Sequence, residues 1–160
     1  MTIKVGDKMP AGTMQTMTAD GPQAVTTDEL FGGKKVALFS VPGAFTPTCS
    51  AQHLPSFVNH AGDLKSKGVD TIACMAVNDA FVMGAWGDDQ HAEGKVMMLA
   101  DGSADYTKAL GLEIDLDGYG MGLRGKRFSM VVDDGVVTQF NVDEDGYGST
   151  SAETMLEQLG

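Results

Sequence analysis

Short apolar runs alternate with polar, glycine-rich breaks along this chain. The first clear run, Lys34–Val41 (KKVALFSV), reads as a buried strand that Pro42-Gly43 ends. Thr46-Pro47 then fits an N-cap followed by proline at the first helical position. Leu54, Phe57, Val58, Ala61 and Leu64 recur at helical spacing, which predicts one helix through Ser50–Lys67, stopped by Gly68. Thr71–Val77 (TIACMAV) reads as a second strand, and Asn78-Asp79 as the cap of a helix running to about Trp86. Lys95–Leu99 is a third strand, followed by a short helix over Ser103–Leu110 that Gly111 closes. Phe128–Val132 and Val136–Val142 flank Asp133-Asp134-Gly135, a strong hairpin signal. Thr150-Ser151-Ala152-Glu153 fits a capping box for a last helix containing Met155, Leu156 and Leu159. This order implies an α/β sandwich in which helices flank a mixed central sheet. No repeat, charge block or composition shift marks a boundary, so residues 1–160 are expected to form a single domain.

Charge narrows the partners. Eleven Lys plus Arg stand against 22 Asp plus Glu, a net charge of −11. Nucleic acid and anionic membrane are both bound through clustered cations, so neither is expected. The N-terminal stretch lacks the apolar core of a signal peptide, and no apolar run approaches the ~20 residues that span a bilayer. Two cysteines, Cys49 and Cys74, make no disulfide framework, so a reducing cytoplasm is the expected location.

Three patterns that suggest nucleotides or metals fail on context. Gly120-x-Gly122-x-x-Gly125 precedes a strand-like run, whereas a dinucleotide fingerprint opens a helix. The near P-loop over Gly120–Lys126 has Arg127 where the Mg²⁺-binding hydroxyl belongs. Asn141-x-Asp143-x-Asp145-Gly146 resembles an EF-hand loop, but Ala152 occupies the position of the bidentate carboxylate. His53, His60 and His91 show no zinc-site spacing. No metal and no organic cofactor are expected.

The chemistry concentrates in Pro42-Gly-Ala-Phe-Thr46-Pro-Thr-Cys49-Ser, which puts a cysteine in the first turn of a helix leaving a buried strand. Unsatisfied amides and the positive helix end favour an anionic sulfur there. Cys49 is then a nucleophile or redox centre, or else an ordinary small residue in a helix start. No second cysteine lies at C-x-x-C spacing, which excludes a dithiol oxidoreductase of the thioredoxin kind.

Pro42-x-x-x-Thr46-x-x-Cys49 is the P-x-x-x-T-x-x-C signature of the peroxiredoxins, and the chain resembles that family. Val41–Ser50 is similar to the type II, peroxiredoxin-five-like branch. So, in the same order, are Val77–Val82, Trp86-Gly87, Glu93-Gly94-Lys95 and Lys126–Val132. The resemblance covers essentially the whole chain. It implies a thioredoxin-like fold and a thiol-dependent reduction of hydrogen peroxide and alkyl hydroperoxides, with peroxynitrite as a further substrate. Carried over residue by residue, Cys49 would be the peroxidatic cysteine and Thr46 would donate and accept hydrogen bonds with thiolate and peroxide. Pro42 would shield the sulfur from water. Arg127 would hold thiolate and peroxide through charge-assisted hydrogen bonds, and the N–H groups of Thr48 and Cys49 would bind the developing negative oxygen.

Where some members carry a resolving cysteine near the C-terminus, this chain has Ser151. Cys74 lies in an apolar run and reads as a small buried hydrophobe. That combination suggests a one-cysteine cycle using glutathione with glutaredoxin, or thioredoxin, as the external reductant. His53, one turn beyond Cys49, reads as a neutral surface histidine outside the catalytic set. Phe45, Phe81 and Phe128 fit core positions, while the family resemblance makes Phe45, Trp86 and Phe81 candidates for a homodimer interface. The rival reading is a non-catalytic redox sensor or chaperone-like module acting through Cys49 oxidation.

Overall fold

Strands that the sequence leaves apolar at every position need cover on both faces, and the sheet supplies it. The computed structural model describes residues 2–144 and 146–160. Its central strands are β3 (Lys35–Ser40), β4 (Thr71–Ala76) and β5 (Met97–Ala100), paired in parallel. Antiparallel strands extend both sides. On one side are β1 (Thr13–Thr18) and β2 (Gly21–Thr26), and on the other β8 (Arg127–Asp133) and β9 (Val136–Asp143). The seven-stranded order is β2-β1-β5-β4-β3-β8-β9. A separate hairpin joins β6 (Glu113–Leu116) to β7 (Gly122–Gly125).

Alternation sorts the core into two layers. Ala37, Phe39, Ile72, Cys74 and Val131 face one layer with Leu54, Phe57 and Trp86. Val36, Leu38, Ala73, Met75 and Met130 face the other with Phe31, Tyr106 and Leu110. Helices α4 (Ala80–Asp89) and α6 (Ala152–Leu159) cover the first layer. Helices α1 (Thr27–Phe31) and α5 (Asp105–Leu110) cover the second. This is the thioredoxin-like sandwich with a mixed central sheet.

Several boundaries differ from the sequence reading, each for a local reason. The helix expected over Ser50–Lys67 is three pieces: a π turn at Cys49–His53, α2 (Leu54–Asn59) and α3 (Ala61–Ser66). Pro55 is responsible for the first break. It has no N–H for the carbonyl four residues back and its ring crowds that group, so the backbone widens to an i+5 bond, Leu54 N–H to the Cys49 carbonyl. The last helix is capped by Ser151, whose hydroxyl accepts from the Thr154 amide, and not by a Thr150–Glu153 box. The Thr150 hydroxyl donates to Asp143 instead.

The sequence reading missed the β1–β2 hairpin, the β6–β7 hairpin and α1. The last starts at a true capping box between Thr26 and Glu29. Gly120–Gly125 lies on the β6–β7 hairpin, with strand β7 following the first glycine. Asp143 ends β9, and its carboxylate accepts bonds from Gly148, Ser149 and Thr150. The EF-hand-like position Asp145 lies outside the described residues. Phe128 is buried as expected. Phe45 and Phe81 are not core residues, being 52% and 66% exposed, and Trp86 is fully buried, away from any surface.

Candidate active site

The nucleophile's setting is built by the turn from β3 into the helix. Val41 is buried, and the next residues fold back on themselves: the Thr46 hydroxyl donates to the Gly43 carbonyl at 2.7 Å, and Ala44 N–H donates to Asn78 Oδ1 at 3.0 Å. Gly43 lets three side chains close in on the backbone here. A Cβ at this position would come within 3.1 Å of Arg124 Nη1 and of Thr46, and within 3.2 Å of Met121. Phe45 takes φ +64°, a conformation bulky side chains avoid at a cost of about 1–3 kcal/mol. The strained turn leads directly into Thr46. Ser50 is the first amide of the helix to find an in-helix acceptor, the Thr46 carbonyl at 2.9 Å, so the amides of Thr48 and Cys49 precede the regular ladder. Pro42 borders this turn, and its carbonyl accepts a 3.4 Å bond from Arg124 Nη1.

Cys49 is fully buried, and its Sγ accepts a 3.1 Å hydrogen bond from Arg127 Nη2. Arg127 opens β8 and is 8% exposed, yet it forms no ion pair with a carboxylate among the described residues. A guanidinium removed from water needs either an anion or a full set of acceptors. The site offers one neutral acceptor, and the sulfur of Cys49 as the place for negative charge. The surface salt bridge that Arg127 could have made in a generic strand is absent among the described residues.

His53 is the neutral acceptor, and sequence reasoning misplaced it. It is completely buried rather than on the helix surface, with Nδ1 2.8 Å from Arg127 Nη1 and Nε2 3.0 Å from the Thr150 carbonyl. A carbonyl can only accept and a guanidinium can only donate, so Nε2 carries the proton and Nδ1 presents its lone pair. Burial, reinforced by the Arg127 charge, pushes the imidazole down to about 3, which keeps it neutral. The Phe39 ring at 4.9 Å and the Tyr147 ring at 5.3 Å enclose it. Its partners stand 74 and 97 residues away in sequence, so no local spacing announced the contact.

Two consequences are measurable together in a His53→Phe variant, which keeps a ring of similar size. Arg127 loses an acceptor, and peroxide reduction should slow about ten- to hundredfold, the range for a hydrogen bond to a charged group. The native imidazole titrates near 3 and the unfolded one near 6.5, so the unfolded chain binds the extra proton between those values. Thermal stability of the wild type should therefore be flat above about pH 6.5 and fall on acidification toward 3. The fall should be shallower in the variant. Equal slopes would show that His53 is not held neutral by the fold.

The structure brings Cys49, Arg127 and the Thr46 turn to one end of the sheet, with Pro42 at its border. It does not place the Thr46 proton on the sulfur. That proton is committed to Gly43, leaving the Thr46 oxygen as an acceptor. Trp86 reaches the same turn by donating from Nε1 to Ser50 Oγ at 3.0 Å. Cys74 sits at full burial in mid-β4, and burial drives its thiol well above the ordinary range.

Comparison with known proteins agrees with this geometry. The Redoxin family model matches residues 4–156. Peroxiredoxin-2D of Arabidopsis thaliana is 48% identical over 98% of either chain. Chloroplastic peroxiredoxin-2E of the same plant is also 48% identical, over 99% of this chain and 70% of its own length. The crystal structure of reduced Prx3 from Vibrio vulnificus in complex with hydrogen peroxide is 51% identical, with a TM-score of 0.95, covering 99% of this chain and 100% of that one. With a buried cysteine at the head of a helix and a guanidinium brought to it from a distant strand inside a redoxin fold, the chain belongs to the peroxiredoxins, in their type II, peroxiredoxin-five-like branch.

Proposed function

We propose that this thiol peroxidase reduces hydrogen peroxide and small alkyl hydroperoxides in a one-cysteine cycle centred on Cys49. The observation that carries it is the 3.1 Å contact between Arg127 Nη2 and Cys49 Sγ in a buried site. The Cys49 thiolate attacks the terminal oxygen of the hydroperoxide. The O–O bond breaks, its electron pair leaves on the distal oxygen, and that oxygen takes a proton and departs as water or an alcohol. Sulfur is left as a sulfenic acid. Arg127 and the amides of Thr48 and Cys49 stand where negative charge moves between oxygens, and donors fixed there in advance lower the barrier. The Thr46 oxygen accepts the hydroperoxide's own O–H, and Pro42 limits access of water.

An external thiol then condenses with the sulfenic acid, releasing water and leaving a mixed disulfide, and a second thiol equivalent regenerates Cys49. Peroxiredoxins draw these equivalents from thiol reductants such as thioredoxin. For this chain the reductant is glutathione with glutaredoxin, or thioredoxin. Cys74 argues for an outside thiol: it is buried in the middle of a paired strand, its thiol resists ionisation, and the chain has no third cysteine. The test is steady-state turnover of a Cys74→Ala variant with each reductant. Turnover equal to wild type with each reductant is expected. A dead variant, or a Cys49–Cys74 bridge in the mass of the oxidised protein, would replace the cycle by a two-cysteine one.

Two further readings belong to the same proposal. The exposed rings of Phe45 and Phe81 support a homodimer, and a sedimentation mass equal to one chain would remove it. The unpaired state of both cysteines supports a reducing compartment such as the cytoplasm, checked by cell fractionation.

A further inference from the structure

The acidic turn after β9, once stripped of its resemblance to a calcium loop, still has an unexplained amount of order. The Asp143 carboxylate accepts bonds from the amides of Gly148, Ser149 and Thr150 and from the hydroxyls of Ser149 and Thr150. Burial opposes its ionisation, but these bonds together hold it down at about 2, so it stays an acceptor throughout the neutral range. A carboxylate with this many donors fixes the backbone of residues 148–150 that supplies them. That turn delivers two groups to the site. One is the Thr150 carbonyl on His53; the other is the ring of Tyr147.

Tyr147 lies with its ring 5.9 Å from the centre of the Arg127 guanidinium and 5.3 Å from the His53 ring. Its hydroxyl donates at 3.4 Å to the Gln52 carbonyl in the π turn that also contains Cys49. The guanidinium therefore has His53 Nδ1 on one nitrogen and Cys49 Sγ on another, with the Tyr147 ring over it at 5.9 Å. Within about 6 Å an aromatic ring attracts a cation, and the attraction grows when water is excluded.

We propose that Tyr147 is a positioning residue for the peroxidase reaction: its ring, presented by the Asp143-anchored turn, holds the Arg127 guanidinium on Cys49. This rests on the catalytic reading of Arg127 given above, and the test separates the two. Tyr147→Leu keeps apolar bulk at a half-exposed position and removes the π face. It should slow the second-order reaction with hydrogen peroxide about tenfold, within the range of a partly desolvated cation–π contact. Tyr147→Phe retains the face and should stay within about twofold of wild type. In an Arg127→Ala background, Tyr147→Leu should add nothing, because there is no guanidinium left to position. The Arg127 guanidinium N–H resonances should be sharp in wild type and Tyr147→Phe and broaden in Tyr147→Leu.

A Tyr147→Leu rate equal to wild type would overturn the proposal. So would a Tyr147→Phe rate as low as that of the Leu variant, or a further loss in the Arg127→Ala background. Failure of the underlying catalytic reading would look different, since Arg127→Ala alone would then react at the wild-type rate.

Discussion

Cys49→Ser should bring peroxide consumption down to the uncatalysed background, a loss of roughly a millionfold or more on the ordinary scale of enzyme acceleration. Serine fills nearly the same volume at this fully buried position, so the fold and the Arg127–His53 contact should persist. What disappears is the nucleophile. An alcohol at neutral pH is almost wholly un-ionised, and the hydrogen-bond partner at this position is a guanidinium, which cannot take its proton. Purified variant, hydroperoxide and an excess of the chosen thiol suffice for the measurement. Continued consumption would end the mechanism. The same assay on wild type decides between enzyme and sensor, because a sensor takes up one equivalent of peroxide and stops.

Arg127→Ala should slow the reaction of Cys49 with peroxide by about 10²–10³-fold, the usual effect of deleting one fixed donor at a site of developing charge. The change removes a cation from a nearly dry position but strands His53 Nδ1 without its donor. These opposing effects should leave the melting temperature within a few degrees of wild type. Arg127→Lys is the sharper comparison. An ammonium is a point charge and cannot span a sulfur and an imidazole nitrogen at once, so Lys should recover little of the lost rate. Trp86 is the chain's single tryptophan and donates to Ser50, next to Cys49, so its fluorescence offers a direct signal for rapid mixing. A normal rate in Arg127→Ala would remove the guanidinium from the chemistry.

How much of this was readable beforehand depended on how local the physics was. Runs such as Val36–Phe39 and Ile72–Ala76 are apolar at every position because both faces of those strands are covered, and that pattern survives in the sequence alone. The Asp134-Gly135 turn was equally plain, with both residues at positive φ as a tight hairpin demands. The β1–β2 hairpin was not, since Thr13–Thr26 is rich in Thr and Gln and lies at the sheet's edge, where alternation is weak. Periodicity also outvoted Pro55, which set the first of the two breaks in the one expected helix.

At the site, Cys49 and its turn could be found from local rules, because a cysteine after a strand, a breaker and a proline-started helix is a local arrangement. Arg127 came only through family resemblance, for its partner is 78 residues away. Tyr147 escaped altogether, and His53 was read as a surface residue outside the catalytic set. Their roles exist only after the C-terminal turn has folded back over the helix, and no period or motif encodes such a meeting.

The π turn at Cys49–His53 sets a constraint on length as well as on residue type. It accommodates one residue more than an α-helical turn would over the same stretch. Downstream, Leu54, Phe57 and Leu64 are packed without exposure and cannot rotate. The turn already holds its extra residue, so one more inserted ahead of them would wind everything upstream by about 100° and push it out by about 1.5 Å. The sulfur would swing to another side of the helix while every residue of the signature remained present. An alignment would still score such a lengthened chain as intact, yet its cysteine would face the wrong neighbour.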